Sequence, residues 1–149
     1  MTDQEFLHRI DACSADIEKC VSRTIPVKAG NIAKDHFQQN FRLGGFVNNG
    51  LHKWKISKRI NVAKGVKGNY KTLMSGRNHL YSSIEYHTHS SGVTIENRVP
   101  YAPVHNSGLK AGRGSGFTMP CRQFIGQSRE LDDKITNLIE TELTKILKL

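Results

Sequence analysis

An α+β fold follows from three patterns in this chain. Apolar residues recur at helical spacing near both ends, period-two alternation lies between them, and the remaining stretches are rich in glycine and lysine. The order is helices, hairpin, short strand, helix. The expected architecture is therefore a small antiparallel β-sheet packed against N-terminal and C-terminal amphipathic helices, with a long basic loop. At 149 residues the chain fits one domain, 1–149, since a domain of about 150 residues buries roughly two thirds of its unfolded surface without needing a disulfide framework.

Thr2-Asp3-Gln4-Glu5 is a capping-box pattern and predicts the first helix start. Phe6, Ile10, Cys13, Ile17, Cys20 and Thr24 then alternate in steps of four and three, which is one helical stripe. Both early cysteines fall on it, so packing accounts for them. With Cys121 they make an odd number, and the reading is reduced thiols. Ile25-Pro26 predicts a break, with Pro26 opening a second helix whose ridge of Ala29, Ala33, Phe37 and Phe41 ends at Gly44-Gly45.

From 46 to 74 the pattern fades into Asn48-Asn49-Gly50, isolated Trp54 and Ile56, and a stretch around Gly65 and Gly68. The segment reads as a mobile basic excursion and not as a packed element. Charge concentrates there. Between His36 and Ile84 there is no Asp or Glu, while Arg42, Lys53, Lys55, Lys58, Arg59, Lys64, Lys67, Lys71 and Arg77 supply nine basic residues. The rest of the chain holds 13 basic and 13 acidic residues, so this one segment carries the whole net charge of +9. Such a field suits an acidic protein surface or a phosphate backbone.

Leu80, Ser82, Ile84 and Tyr86 share one face of a predicted strand; after a polar turn at Ser90-Ser91-Gly92, Val93, Ile95 and Val99 share another. Residues 108–118 form a Gly-rich loop with Lys110 and Arg113, and no Gly-Lys-Ser or Gly-Lys-Thr follows to make it a phosphate cradle. The last helix is expected to cap on Ser128. Glu130, Asp132 and Asp133 lie in its first turn and Lys145 and Lys148 in its last, matching the helix dipole. Leu131, Ile135, Leu138, Ile139, Leu143, Ile146 and Leu147 give it a stripe wide enough to cover a small sheet.

Candidate chemistry does not assemble. His87 and His89, taken with His105 or Cys121, supply one close ligand pair where structural zinc needs two. Residues 97–129 contain no acidic side chain, which leaves a metal-dependent nuclease around His105 and Asn106 without ligands. Arg122 beside Cys121 favours a thiolate, but no base is placed by the motif. No catalytic, cofactor-binding or metal site is expected. Lys53, Trp54, Lys55, Lys58 and Arg59 interleave charge with one aromatic ring, so a small basic nucleic-acid-binding protein is the alternative to a basic arm that contacts protein. No apolar run reaches membrane-spanning length, and the N-terminus opens acidic and amphipathic, so a soluble protein without an export signal is expected.

Taken in order, Trp54, "LMSGRNHLYSSI" (Leu73 to Ile84), "VTIENRVPYAPVHNSG" (Val93 to Gly108), "MPCRQFIG" (Met119 to Gly126) and the closing helix resemble the phage virion morphogenesis family, the tail-completion or head-tail joining proteins of tailed phages and prophages. Tyr101, Ala102, His105, Gly108, Pro120, Arg122 and Phe124 match the family pattern, and Cys121 stands where a small residue is common. The resemblance implies a noncatalytic virion part in the tail or neck. It implies a ring of several copies, made in the host cytoplasm, whose partners are tail tube, neck or portal-associated proteins, with at most weak nucleic-acid contact and no membrane or small-molecule substrate. In that light Lys53, Trp54, Lys55, Lys58, Arg59, Tyr101, His105, Gly108, Arg113 and Arg122 are candidates for subunit or partner contact. Pro103 suits the first turn of a short helix that sets Tyr101 and His105 on one side, and Gly108 its left-handed end.

Overall fold

The computed structural model describes residues 1–62 and 65–148. Lys64, counted in the basic excursion, lies outside the described residues. The fold is α+β, as expected. Helix α1 (Asp3–Lys19) starts on the anticipated capping box, with Thr2 N donating to Glu5 Oε2 at 2.7 Å and Glu5 N donating to Thr2 Oγ1 at 3.2 Å.

The break expected at Ile25-Pro26 does not occur. A π-helical turn, Cys20–Thr24, joins α1 to α2 (Ile25–Leu43), and Ile25 itself is right-handed helical. Its N–H reaches back five residues to Cys20 O. The widened turn absorbs both the proline's missing donor and its ring, which in a regular α-helix would collide with the preceding turn. Gly44 at φ 70° closes α2, its N–H donating to Asn40 O.

Helix α2 is the centre of the molecule. It buries Pro26, Ala29, Gly30, Ala33, His36, Phe37, Asn40 and Phe41, a three-and-four spacing that defines one face. The hairpin β3 (Ile84–His89) with β4 (Gly92–Asn97) packs on it, and so does α6 (Arg129–Leu147). Helix α6 thus leans on α2 and α1 and does not roof a sheet; its apolar stripe is half-buried, with Ile139 and Leu147 exposed.

The sheet is dispersed into three two-stranded antiparallel ribbons. The first, β1 (Gly45–Val47) with β2 (Leu51–Lys53), turns through Asn48-Asn49-Gly50, where Asn49 and Gly50 have φ 52° and 101°. This corrects the reading of 46–74 as unpacked. A hairpin opens the segment, Trp54 follows it into the core at 7 % exposure, and Thr72 is buried near its far end. Short helix α3 (Lys58–Val62) lies between. A second difference concerns Leu80 and Ser82, which sit in a single turn, α4 (His79–Ser82), and not in strand. Ser82 Oγ returns to Asn78 O at 2.9 Å, a local bond that favours the turn, and Leu80 is buried regardless. The 84–97 hairpin has the predicted polar turn at Ser90 and Ser91, with Ile84, Tyr86 and Thr88 opposite Asn97, Ile95 and Val93. The Gly-rich 108–118 loop also carries a ribbon, β5 (Lys110–Ala111) with β6 (Phe117–Thr118).

The core gathers Ala33, Phe37, Phe41, Phe46, Trp54, Leu80, Ile84, Val99, Ala102 and Phe124. Phe41 is fully buried at its centre, edge-on to Trp54 and Tyr81 at 5.5 and 6.0 Å and tilted on Phe124 at 5.1 Å, geometries that aromatic quadrupoles favour. At Gly30 a Cβ would collide with the Tyr86 ring, so the hairpin's aromatic side chain lies directly on the helix backbone. Gly30→Val is therefore expected to destabilise by about 3 kcal/mol through overpacking. Urea denaturation measures it, and Tyr86→Ala in the same background should restore part of the loss.

One expectation fails at the other end of α1. Its stripe does not bury: α1 has no buried residue, Phe6, Leu7 and Ile10 are exposed, and only Cys20 beyond it is interior. No described helix is long and apolar enough to cross a membrane.

Candidate functional site

The second matched motif, Met119 to Gly126, is irregular chain running past the core, with no strand partner for residues 121–126. Its polar backbone groups must still be satisfied. Side chains from elsewhere do this. Asn106 Oδ1 accepts from Phe124 N at 2.8 Å and Ile125 N at 3.0 Å, while its Nδ2 donates to Ile125 O at 3.2 Å. Asn40 Nδ2 donates to Phe124 O at 3.1 Å, and the Trp54 indole N–H donates to Gln123 O at 2.8 Å. Arg122 N donates to His105 O at 2.8 Å, which ties this segment to the first motif.

That first motif forms α5 (Ala102–Ser107) as anticipated, with Pro103 in its first turn and Gly108 at φ 68° ending it. A Cβ at Gly108 would lie 3.0 Å from Cys121, so glycine serves both the left-handed turn and the close approach of the two motifs. Tyr101 and His105 do share one side, with ring centroids 6.1 Å apart, and the Tyr101 hydroxyl lies 2.9 Å from His79 Nδ1.

Between α5 and residues 71–75 lies a cavity of about 320 Å³ whose walls include Arg59, His79, Tyr101, His105 and Arg122. Arg122 is 6 % exposed, and its Nε donates to Lys55 O at 2.8 Å. Burial lowers its pKa. His105 Nδ1 is buried with no hydrogen-bond partner, and the imidazole pKa is held below its usual value by burial first and by the Arg122 charge second. Arg59 donates to Lys71 O and Met74 O, fixing the opposite wall.

The remaining candidates are placed as follows. Lys53, Lys55, Lys58, Tyr101 and Arg113 are exposed, and Arg59, His105 and Gly108 half-buried. Trp54 is corrected: its ring is a core side chain, so it offers no stacking surface. Arg122 is interior too, and it lines the cavity. Sequence reasoning missed Asn40 and weighed Asn106 only as part of a rejected nuclease site, since their amide groups carry no periodic signal. It also missed the grouping of Glu85, His87 and Glu96, whose ligand-capable atoms lie within 4.8 Å of one another on the exposed ribbon face. There Glu96 already meets His87 at 2.7 Å and Arg98 at 2.6 Å, while His89 turns to Thr94.

The N-terminus of α6 is held by a second network. Ser128 Oγ accepts from Leu131 N at 3.3 Å and lies 2.9 Å from His36 Nε2; Lys134 Nζ lies 3.4 Å from His36 Nδ1. An ammonium can only donate, so Nδ1 accepts and the neutral ring carries its proton on Nε2. Burial, then Lys134, lowers the His36 pKa. Glu130 takes the Asn49 and Gly50 amides at 3.0 and 2.7 Å, so the first hairpin turn is anchored to α6, and those bonds lower its pKa.

These shifts set a pH dependence. His36 and His105 both have folded pKa values below 6.5, so their contribution is present above that pH and is lost as pH falls through the folded values. The lowered carboxylates Glu130 and Glu142 start from 4.5 and give way only below it. The melting temperature is therefore expected to fall between pH 7.5 and 5.5, followed by circular dichroism, with a shallower slope in His36→Gln.

No curated protein and no solved structure matches the chain. The family model described as the phage virion morphogenesis family matches residues 36–144, from the middle of α2 almost to the end of α6, and so spans both matched motifs, the hairpins and the cavity. The chain belongs to the phage virion morphogenesis family.

Proposed function

We propose that this chain is a noncatalytic structural protein that acts in tail completion or head-tail joining as an oligomeric ring in the tail or neck of the virion. Family membership gives the assembly role. The observation that carries the finer reading is the uncovered apolar stripe at the N-terminal end of α1. The helix exposes Phe6, Leu7 and Ile10 at 52, 59 and 49 % and holds five acidic residues against two of Lys and Arg. Monomeric proteins rarely leave such a stripe uncovered. The same chain bears all its excess positive charge between His36 and Ile84. An acidic amphipathic arm and a basic body on every copy support head-to-tail association, which closes into a ring when the rotation permits.

The polar side chains of the matched motifs also support a structural reading, because Asn106 and Arg122 hold chain segments together. Mass photometry and negative-stain microscopy of the purified protein, alone and with its neighbouring tail-tube or portal-associated protein, test the proposal. Rings are expected, and a strictly monomeric protein under both conditions would refute it. Phe6→Ser with Ile10→Ser should weaken assembly at least tenfold while leaving the melting temperature within about 2 °C, since neither residue is buried.

Exposed Lys53, Lys55 and Lys58 favour one second reading, a small basic nucleic-acid-binding protein of a phage or prophage. Several phosphate contacts would make DNA affinity fall steeply with salt. Retention of duplex DNA at about 0.2 M salt, with no rings formed, would favour that reading.

A further inference from the structure

We propose that the cavity between α5 and residues 71–75 is a receptor for a single carboxylate carried by a partner protein, an Asp or Glu side chain or a chain terminus. The inference rests on the assembly role above and names the chemistry of the contact.

Charge accounting leads to it. Arg122 is 94 % covered, yet among the described residues no salt bridge joins it to a carboxylate, and no Asp or Glu lines the cavity. A buried guanidinium without an opposing charge is costly, and its two contacts, Nε to Lys55 O and Nη1 to Met119 Sδ at 3.8 Å, are to neutral acceptors and leave that charge uncompensated. Arg59 adds a second cation on the facing wall. His105 supplies an independent sign: its Nδ1 is a buried nitrogen without a partner in a site that otherwise satisfies its polar atoms. An oxyanion between Arg122 and His105 answers both. It accepts from the guanidinium, and in the Nδ1–H tautomer from the imidazole as well.

Shape selects the carrier. Leu73, Met74 and Met119 give the cavity apolar wall for a methylene stem, and about 320 Å³ admits one side chain. A duplex phosphate is flanked by sugars and neighbouring phosphates and cannot be threaded to a guanidinium this deeply covered; a glutamate tip can. A carboxylate in the site offsets the Arg122 charge and places a negative charge beside the imidazole, which favours protonation of His105, so the occupant and a proton on His105 bind together.

The test uses sodium propionate as the probe, with propionamide as its uncharged isostere and inorganic phosphate as the competing oxyanion, all at equal ionic strength. Chemical shifts of the His105 ring are followed against pH and probe concentration. Propionate is expected to bind with a dissociation constant on the order of 10 mM, to raise the His105 pKa and to raise the melting temperature, while propionamide does neither. Arg59→Met should weaken propionate at least threefold and Arg122→Met at least tenfold. If Arg122→Met does not fold, Arg59→Met and the propionate-propionamide contrast in the unaltered protein decide the matter. No response of His105 to propionate, or tighter binding of phosphate than of propionate, overturns the proposal. Ring formation is scored separately by mass photometry. Rings without a propionate response would sink the cavity alone, and a propionate response without rings would sink the ring reading alone.

Discussion

Asn106→Ala is expected to destabilise the chain by about 2–4 kcal/mol, because one truncation strands two backbone N–H groups, each worth about 1–3 kcal/mol when left unsatisfied, and leaves Ile125 O only its 3.4 Å bond from Gln123 Nε2. The amide of Asn106 takes the N–H groups of Phe124 and Ile125 and gives to Ile125 O. Those two residues run as irregular chain beneath the core, and Phe124 is 1 % exposed, so water does not easily replace the lost bonds. Typical domains have about 5–15 kcal/mol in all, so a variant of a marginal member of that range would be largely unfolded at 37 °C. Asn106→Asp is the informative partner. It keeps the oxygen that accepts from both amides but sets its other carboxylate oxygen against Ile125 O, so its cost should be smaller than that of alanine and should shrink at acid pH, where a protonated carboxyl restores the donor. Urea denaturation with linear extrapolation measures both. A loss below about 1 kcal/mol for the alanine variant would mean that the 119–126 segment is held by something other than this amide.

That segment also shows where the sequence is readable and where it is not. Ends of helices are legible because caps are local chemistry: Thr2 with Glu5, Gly44, Pro103 with Gly108, and Ser128 all act where their residue types predict. The 84–97 hairpin is legible for the same reason, its alternation and its turn lying within one short window. Burial is not local. The stripe on α1 has the spacing of a buried helix, but spacing says only that a face is apolar and not whether anything covers it. Pro26 misleads because the rule it invokes holds for a regular α-helix, and the π-turn at Cys20–Thr24 changes the geometry on which the rule depends. The resemblance marks Tyr101, His105, Gly108, Arg122 and Phe124 as family matches without saying how they are arranged; it is the Arg122 N bond to His105 O and the close approach of Gly108 to Cys121 that join the two motifs. Asn106, the residue that ties the two motifs most tightly, looks in sequence like one more polar loop residue.

Trp54 carries the second large effect, and it decides between two uses of the basic segment. Its ring is 7 % exposed, stands edge-on to Phe41 and donates to Gln123 O. Phe41 and Gln123 are 13 and 69 residues away, so the faded pattern around Trp54 is what a segment held by scattered long-range contacts looks like in sequence. Trp54→Ala should cost about 3–5 kcal/mol through lost area and the cavity left behind. Trp54→Phe keeps most of the packing and loses the indole bond, at about 1–2 kcal/mol. As the chain's one tryptophan it reports on itself: native emission should be blue-shifted and poorly quenched by acrylamide, shifting red on unfolding. Single-stranded DNA should leave that emission unchanged, since a ring already packed on Phe41 has no face to give a base, whatever the exposed Lys53, Lys55 and Lys58 attract. Strong quenching by DNA would show that the hairpin opens and that stacking competes with the core, and the anchor would then have to be reread as a switch.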